Sequence, residues 1–205
     1  MKFKASSSTD FEIAPAGNHV AYCTGVIDIG MQPGRGQYPQ PRHEVYLRFE
    51  LCNERVKYQR DGKEVEGPMS IGRTFTASMN EKANLRKFVE GLYGKAFPSD
   101  DVAESFDFQS LLGRQCLLNV THTERAGKRY ANVQSAAPMP KGMPAAGKQE
   151  NPSLFFDLEN PVAEVFDQLP KWLKEKVTGR IQVKAENPPV EIKRPADDFD
   201  DSIPF

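Results

Sequence analysis

The alternation of apolar and polar residues in segment 43–51 is typical of a half-buried β-strand. One face of this strand would carry four apolar side chains: Val45, Leu47, Phe49 and Leu51. The opposite face would carry four polar or charged ones: Glu44, Tyr46, Arg48 and Glu50. The pattern therefore predicts one face in a core and another that presents an aromatic ring and a guanidinium group to solvent or to a ligand.

A strand is predicted on either side of this segment. Residues 18–31 are rich in β-branched and small side chains, and Gly25 in their middle indicates a bend or a bulge. Gly and Pro make residues 30–42 a loop. Residues 71–79 form the third predicted strand.

Residues 52–70 are polar and are predicted to form a long connection between the second and third strands. Within it, residues 55–59 and 64–66 are expected to pair across an Asp-Gly turn at Asp61 and Gly62.

The hydrophobic period then changes to that of a helix over residues 81–93, with Asn80 as its cap and Gly94 at its end. Its apolar stripe consists of Leu85, Phe88, Val89 and Leu92. Residues 107–115 are expected to contain one further helical turn. A hairpin of residues 114–124 and 128–136 follows and completes a set of five strands.

Five strands with a helix between the third and fourth have the order of an OB-fold barrel, so a mainly β chain of this type is predicted for residues 1–136. A Pro, Gly, Ala and Lys-rich stretch makes residues 137–153 a linker. Residues 154–178 are predicted to be helical, with Pro170 splitting or kinking the helix. Residues 179–205 form a tail that is expected to be disordered.

The formal net charge of the 205 residues is −1, but four aspartates and no basic residue lie in the last ten positions. The rest of the chain is therefore mildly basic, which is compatible with nucleic-acid binding without being diagnostic. The three cysteines lack CxxC spacing and are expected to be small buried residues in a reducing compartment. No membrane span or leader is indicated, and a cytoplasmic protein is expected.

Motifs of catalysis are mostly absent. The glycines of residues 30–37 match neither a phosphate-binding GxxxxGK[ST] loop nor GxGxxG, and neither GxSxG nor HExxH occurs. The acidic pair Asp100 and Asp101 fits a helix start better than a metal site. A protein without enzymatic activity, cofactor or metal is therefore expected.

An OB-fold barrel of the predicted type binds single strands on the face of its second and third strands and with its loops, where aromatic rings stack on bases and cations contact phosphates. Side chains of these two types occur in the first loop, the second and third strands and the last hairpin: Arg35, Tyr38, Arg42, Tyr46, Arg48, Arg73, Phe75, Arg125, Lys128, Arg129 and Tyr130.

Several of these residues have an equally simple structural explanation. Phe75 shares a strand face with Ile71, so core packing is at least as plausible as stacking, and Arg73 would then mark a frayed strand end. Tyr46 is the stronger stacking candidate because its predicted face is polar. The basic residues of the last hairpin could also form a solvated turn.

The last residues, DDFDDSIPF, resemble the acidic C-terminal tip of bacterial single-stranded DNA-binding proteins. The body of the chain lacks the long Gly/Gln-rich linker of that family, and it is more similar to the OB-fold single-stranded DNA-binding proteins of tailed bacteriophages. The resemblance implies that the tip docks enzymes of DNA replication, recombination and repair. The tip residues are Asp197, Asp198, Phe199, Asp200, Asp201, Ile203, Pro204 and Phe205.

The expected function is thus to bind and protect single-stranded DNA with little sequence specificity, with an acidic tip that recruits partners and competes with DNA for the basic groove. Two other functions stay open: an adaptor whose OB-like domain binds no DNA, and a mediator that anneals single strands. The sequence is also compatible with a homo-oligomer.

Overall fold

The computed structural model describes residues 12–34, 36, 39–60, 62–143 and 147–181. Five strands form an antiparallel sheet in the order β3-β2-β1-β4-β5, which confirms the mainly β prediction. The sheet curls into a half-barrel. Its strands are β1 (Gly17–Gln32), β2 (Arg42–Arg60), β3 (Lys63–Thr76), β4 (Gln115–Arg125) and β5 (Lys128–Ala137).

Strand β1 bends because it contains the predicted bulge. Its pairing with β2 shifts register between Cys23 and Gly25 and again between Asp28 and Gly30. A side chain at Gly25 would lie 3.1 Å from the Cβ of Arg48 on the neighbouring strand, so glycine permits the two backbones to approach. The extra residues increase the curl of the sheet.

Strands β2 and β3 are longer than predicted and form one continuous hairpin. The expected pairing across Asp61 and Gly62 is confirmed, since Arg60 pairs with Lys63 and Arg55 with Pro68. Residues 52–68 extend beyond the segment of β2 that pairs with β1, and we call them the first arm. Residues 121–132 of β4 and β5 pass the same end of β1 and form the second arm.

Three helical segments lie between β3 and β4: α1 (Asn84–Tyr93), α2 (Asp100–Glu104) and a 3-10 turn (Phe108–Leu111). The expected cap of α1 is wrong, because the side chain of Asn80 accepts from the N–H of Lys82 and the helix begins after Ala83. The predicted end is confirmed: Gly94 has φ 67° and donates its N–H to the last carbonyls.

The core lies between the inner face of the half-barrel and α1. The apolar stripe of α1 and the apolar face of β2 are both buried in this core, as each pattern predicted. Phe88 of the helix meets Phe49 of β2 edge to face, with ring centroids 5.8 Å apart.

The C-terminal segment adds a short strand to the sheet and packs two helices on its opposite, outer face. It consists of β6 (Leu154–Phe156), α3 (Ala163–Gln168) and α4 (Lys171–Thr178). The prediction that residues 154–178 are helical is wrong at its start, because Leu154–Phe156 form a strand that pairs in parallel with β1. Pro170 separates the two helices, which confirms the predicted split and not the alternative of one kinked helix. Their apolar side chains form a second cluster with Ile27 and Ile29 of β1.

Cys23 and Cys116 are buried, as expected, and burial raises the pKa of each thiol to about 12. Cys52 is only partly buried, so the expectation is wrong for this third cysteine, and all three are unpaired. Asp100 and Asp101 open α2 as predicted, behind the capping side chain of Ser99. Across the described residues, no helix is long and apolar enough to cross a membrane.

Candidate nucleic-acid interface

The outer face of β2 was expected to meet solvent or DNA, and this expectation is wrong for its central residues. Each polar side chain of this face contacts the C-terminal segment. Glu44 lies 3.7 Å from the Nζ of Lys176. Glu50 is only 2% exposed and accepts the backbone N–H groups of Glu150 and Asn151 at 2.8 and 2.7 Å. Residues 147–181 therefore cover the outer face of β2 between Glu44 and Glu50.

Arg48 has a structural role here. Its guanidinium group donates to the hydroxyl and the carbonyl of Thr24, both at 3.1 Å, and to the carbonyl of Pro152 at 2.9 Å. Desolvation by burial lowers the pKa of this group, which stays charged. With its donors directed at these oxygens, Arg48 anchors the start of the C-terminal segment to the sheet and is not a free phosphate contact.

Tyr46 is covered by Trp172 of α4. The two rings meet edge to face with centroids 5.0 Å apart and an interplanar angle of 88°. The tyrosine hydroxyl lies over Gly72, where a β carbon would be only 2.2 Å from it. Burial raises the pKa of Tyr46 to about 12. Tyr46 thus supports another aromatic ring instead of offering its own to a base.

Phe75 is a core residue. It is 3% exposed and packs on Phe88 of α1, with ring centroids 4.9 Å apart. Its assignment as a base-stacking residue is wrong, because the inner face of β3 is filled by α1.

Arg73 shares the inner face of β3 with Phe75 but does not mark a frayed end. Its guanidinium carbon lies 4.7 Å from the Phe75 ring centroid, and its Nη1 donates to the carbonyls of Val133 and Gln134 on β5. Strands β3 and β5 are the two edges of the half-barrel, and no ladder joins them in the described residues. We call the gap between them the seam, which Arg73 bridges.

A cleft of about 670 Å³ opens at one end of the seam, beside α1. Four cationic side chains and one carboxylate line it: Arg42, Arg73, Lys82, Lys176 and Glu44. The first turn of α1 faces the same cleft, since Ala83 and Asn84 belong to its wall and Ala83 provides no capping side chain. A helix N-terminus carries partial positive charge, so it adds to the cationic character of this cleft.

A second cleft, of about 360 Å³, continues along the seam from the first, with which it shares Arg73 and Thr74. It reaches the second arm, where Thr121, Thr123 and Asn132 line it. We call the two clefts together the seam groove. It joins the basic end of the barrel to the second arm.

Strand register decides which side chains of the second arm face the seam groove. Thr123 pairs with Tyr130 and Arg125 with Lys128, and cross-strand partners share a face. Arg125, Lys128 and Tyr130 therefore lie on the same face as the lining residue Thr123. Arg129 lies on the opposite face. Tyr130 is 46% exposed, so its ring is accessible from solvent.

The turn of the second arm fixes this arrangement. Ala126 and Gly127 have φ values of 49° and 71°, as a two-residue turn with two positive φ values requires.

The structure thus brings together some of the predicted DNA-contacting residues along one groove: Arg42, Arg73, Arg125, Lys128 and Tyr130. Sequence reasoning missed Lys82 and Lys176. The polar turn before α1 places Lys82, and Lys176 comes from a helix whose docking site the sequence did not indicate. Arg35 and Tyr38 lie outside the described residues, as does the whole acidic tip, residues 197–205.

A separate apolar cavity of about 250 Å³ lies at the end of β1 and β2, with Asp28 and His43 at its wall. The Oδ1 of Asp28 is 2.5 Å from the Nε2 of His43, and this hydrogen bond raises the pKa of the imidazole. No group of three metal-ligating side chains occurs in the part of the chain that the structure describes.

Fold and groove define a mainly β, antiparallel half-barrel protein with a basic cleft along its seam. No family model and no curated protein matches the chain.

Proposed function

We propose that the protein binds single-stranded DNA with little sequence preference through the seam groove and the second arm. The concentration of positive charge along the groove carries this proposal: four cationic side chains and a helix N-terminus line the first cleft, against a single carboxylate. Phosphates along a single strand require a track of this kind, since they are contacted without regard to base identity.

The half-barrel is consistent with an OB fold, because its five strands have the expected chain order and α1 lies between β3 and β4. The groove differs from the site first expected on the outer face of β2. Because that face is occupied by residues 147–181, the proposed DNA path follows the seam instead.

The acidic tip extends the proposal to partners. Its resemblance to the tip of bacterial single-stranded DNA-binding proteins supports a role in recruiting enzymes of replication, recombination and repair in a bacterial cytoplasm, with the gene carried by a tailed phage. The four aspartates of the tip would also compete with phosphate for the cations of the seam groove.

Fluorescence anisotropy with labelled oligo-dT and a matched duplex tests the proposal. The full chain and a variant truncated after Ala196 are each titrated across a salt series. We expect the protein to prefer the single strand and to bind it more tightly after truncation. The logarithm of the association constant should fall linearly with the logarithm of the salt concentration, with a slope of about −0.7 for each phosphate contact. Absence of binding by both proteins, or equal affinity for the duplex, contradicts the proposal.

A further inference from the structure

Trp172 is the single tryptophan of the chain, and it is 44% exposed. It lies on α4 next to Leu173, which is buried in the second cluster together with Val177. The apolar stripe of α4 faces the sheet, and Trp172 lies beside this stripe, where its ring contacts Tyr46. Packing on the sheet therefore accounts for the covered part of the ring but not for the large part that stays exposed.

The ring of Trp172 is held on a rigid support. The edge-to-face contact with Tyr46 fixes it from the sheet side. Tyr46 in turn fits over Gly72, where no other residue leaves room for its hydroxyl. A flat aromatic surface is thus presented in one orientation, which lowers the entropy cost of binding a second flat group.

Positive charge lies beside this ring. Lys176 follows Trp172 by one turn on the same helix face, and its Nζ is 5.9 Å from a ring centroid of the tryptophan. Lys176 also lines the first cleft of the seam groove. The aromatic surface therefore adjoins the end of the cationic track, and a phosphate at Lys176 has its neighbouring base within reach of Trp172.

We propose that Trp172 stacks on a base of the bound single strand, so that α4 is part of the DNA site. This inference rests on the proposed function. A nucleobase fits the observations because it offers a flat π-face to the ring and its phosphate offers an anion to Lys176, and stacking of this kind tolerates every base. The C-terminal segment then has a functional reason to cover β2: it replaces the buried Tyr46 by an exposed, larger ring.

The single tryptophan makes the test direct. Oligo-dT is titrated into the full chain while tryptophan emission and the anisotropy of labelled DNA are recorded in parallel. Emission is expected to be quenched along the same curve as the anisotropy change. Trp172→Leu, which keeps an apolar cover on Tyr46, should weaken binding about 5- to 150-fold, since stacking on one aromatic side chain contributes about 1–3 kcal/mol per base.

Two further variants serve as controls. Trp172→Phe retains an aromatic ring and should bind within about fivefold of the wild type. Val162→Ala changes an equally exposed apolar residue of the same segment, 49% exposed, and should leave affinity unchanged. Thermal unfolding of each variant confirms that the fold is retained.

Three outcomes overturn the inference while leaving the proposed function intact. The first is tryptophan emission that stays constant as the wild type saturates with oligo-dT, and the second is binding by Trp172→Leu within twofold of the wild type. The third is a change of oligomeric state in that variant at unchanged DNA affinity, which would make the ring an interface between copies of the chain. Failure of the wild type to bind oligo-dT at all contradicts the proposed function itself. The emission experiment needs no variant, so it decides the matter even if Trp172→Leu does not fold.

Discussion

Arg73 joins two strands that do not pair with each other: its Nη1 donates to the carbonyl of Val133 at 3.1 Å and to that of Gln134 at 2.8 Å. These carbonyls belong to the edge strand β5, and Arg73 belongs to the opposite edge strand β3. A single side chain thus spans the seam where a closed barrel would have a ladder of backbone hydrogen bonds. Its charge lies at the junction of the two clefts of the seam groove.

Loss of this bridge should destabilise the fold. Arg73→Ala leaves two carbonyls without their donor and removes the cation above Phe75, so we expect the free energy of unfolding to fall by about 1–3 kcal/mol. Urea denaturation measures it. Arg125→Ala, which removes an exposed arginine of the second arm, is the control and should change stability by less than about 0.5 kcal/mol. Equal stability of Arg73→Ala and wild type would show that the seam holds without the bridge.

Two arginines of the second arm should differ in their effect on DNA binding. Arg125 lies on the face that continues the lining of the seam groove, and Arg129 lies on the opposite face. Arg125→Ala is therefore expected to weaken oligo-dT binding and to reduce the salt slope by about 0.7, the value for one phosphate contact. Arg129→Ala serves as its matched control and should leave both quantities near those of the wild type. Equal losses in the two variants would exclude the proposed path of the strand.

Sequence alone predicted the elements of the fold better than their contacts. The alternation in β2 separated a core face from a polar face, and both Gly25 and Gly94 were assigned their local roles correctly, because each depends only on residues nearby in the chain. What covers the polar face depends on residues about a hundred positions away: the Glu50 carboxylate accepts the backbone N–H of Glu150. No periodic signal within a strand specifies such a partner.

The same limit explains the errors at the candidate site. Arg73 is a cation on the core face of its strand, and its partners lie on β5, some 60 positions along the chain. Trp172 could have been noticed as the single tryptophan placed off the apolar stripe of α4. Its position beside the seam groove, however, depends on how α4 docks on β2.

The anchor at Glu50 gives a prediction about the C-terminal segment. Glu50→Ala removes the single buried carboxylate that accepts the backbone N–H groups of both Glu150 and Asn151. Residues 147–156 should therefore detach from the sheet more readily. We expect faster amide hydrogen exchange in this stretch and a loss of about 2–3 kcal/mol in the free energy of unfolding. Glu64→Gln, at an exposed position paired with Lys57 on the first arm, should alter neither. Unchanged exchange in Glu50→Ala would show that other contacts hold the segment.

Gly72 tests the support beneath Trp172. A methyl group at this position would lie 2.2 Å from the Tyr46 hydroxyl and 2.5 Å from the carbonyl oxygen of Leu47, so either the ring or the backbone must move. Gly72→Ala should therefore cost about 1–3 kcal/mol of stability and shift the emission maximum of Trp172. Gly147→Ala has nothing within 4 Å of its new methyl group and is the matched control. An unshifted emission maximum in Gly72→Ala would mean that Tyr46 does not hold the tryptophan.

The pair of His43 and Asp28 should make stability depend on pH. The hydrogen bond to Asp28, assisted by the charges of Asp28 and Glu159, raises the pKa of His43 above its ordinary value near 6.5. The stabilising contribution of protonated His43 is therefore fully present below about pH 6.5. It is lost as the pH rises through the pKa that His43 has in the folded state. Because the side chain of His43 is 47% exposed, the change should stay below about 1 kcal/mol.

Urea denaturation at pH 6 and pH 8 measures this contribution. The wild type should lose stability on going to pH 8, and His43→Gln should lose less because its amide does not titrate. Asp28→Asn removes the partner instead and should flatten the same part of the profile, which separates the ion pair from other groups that titrate between these pH values. A pH profile that is the same in the wild type and in both variants would show that the pair contributes nothing to folding.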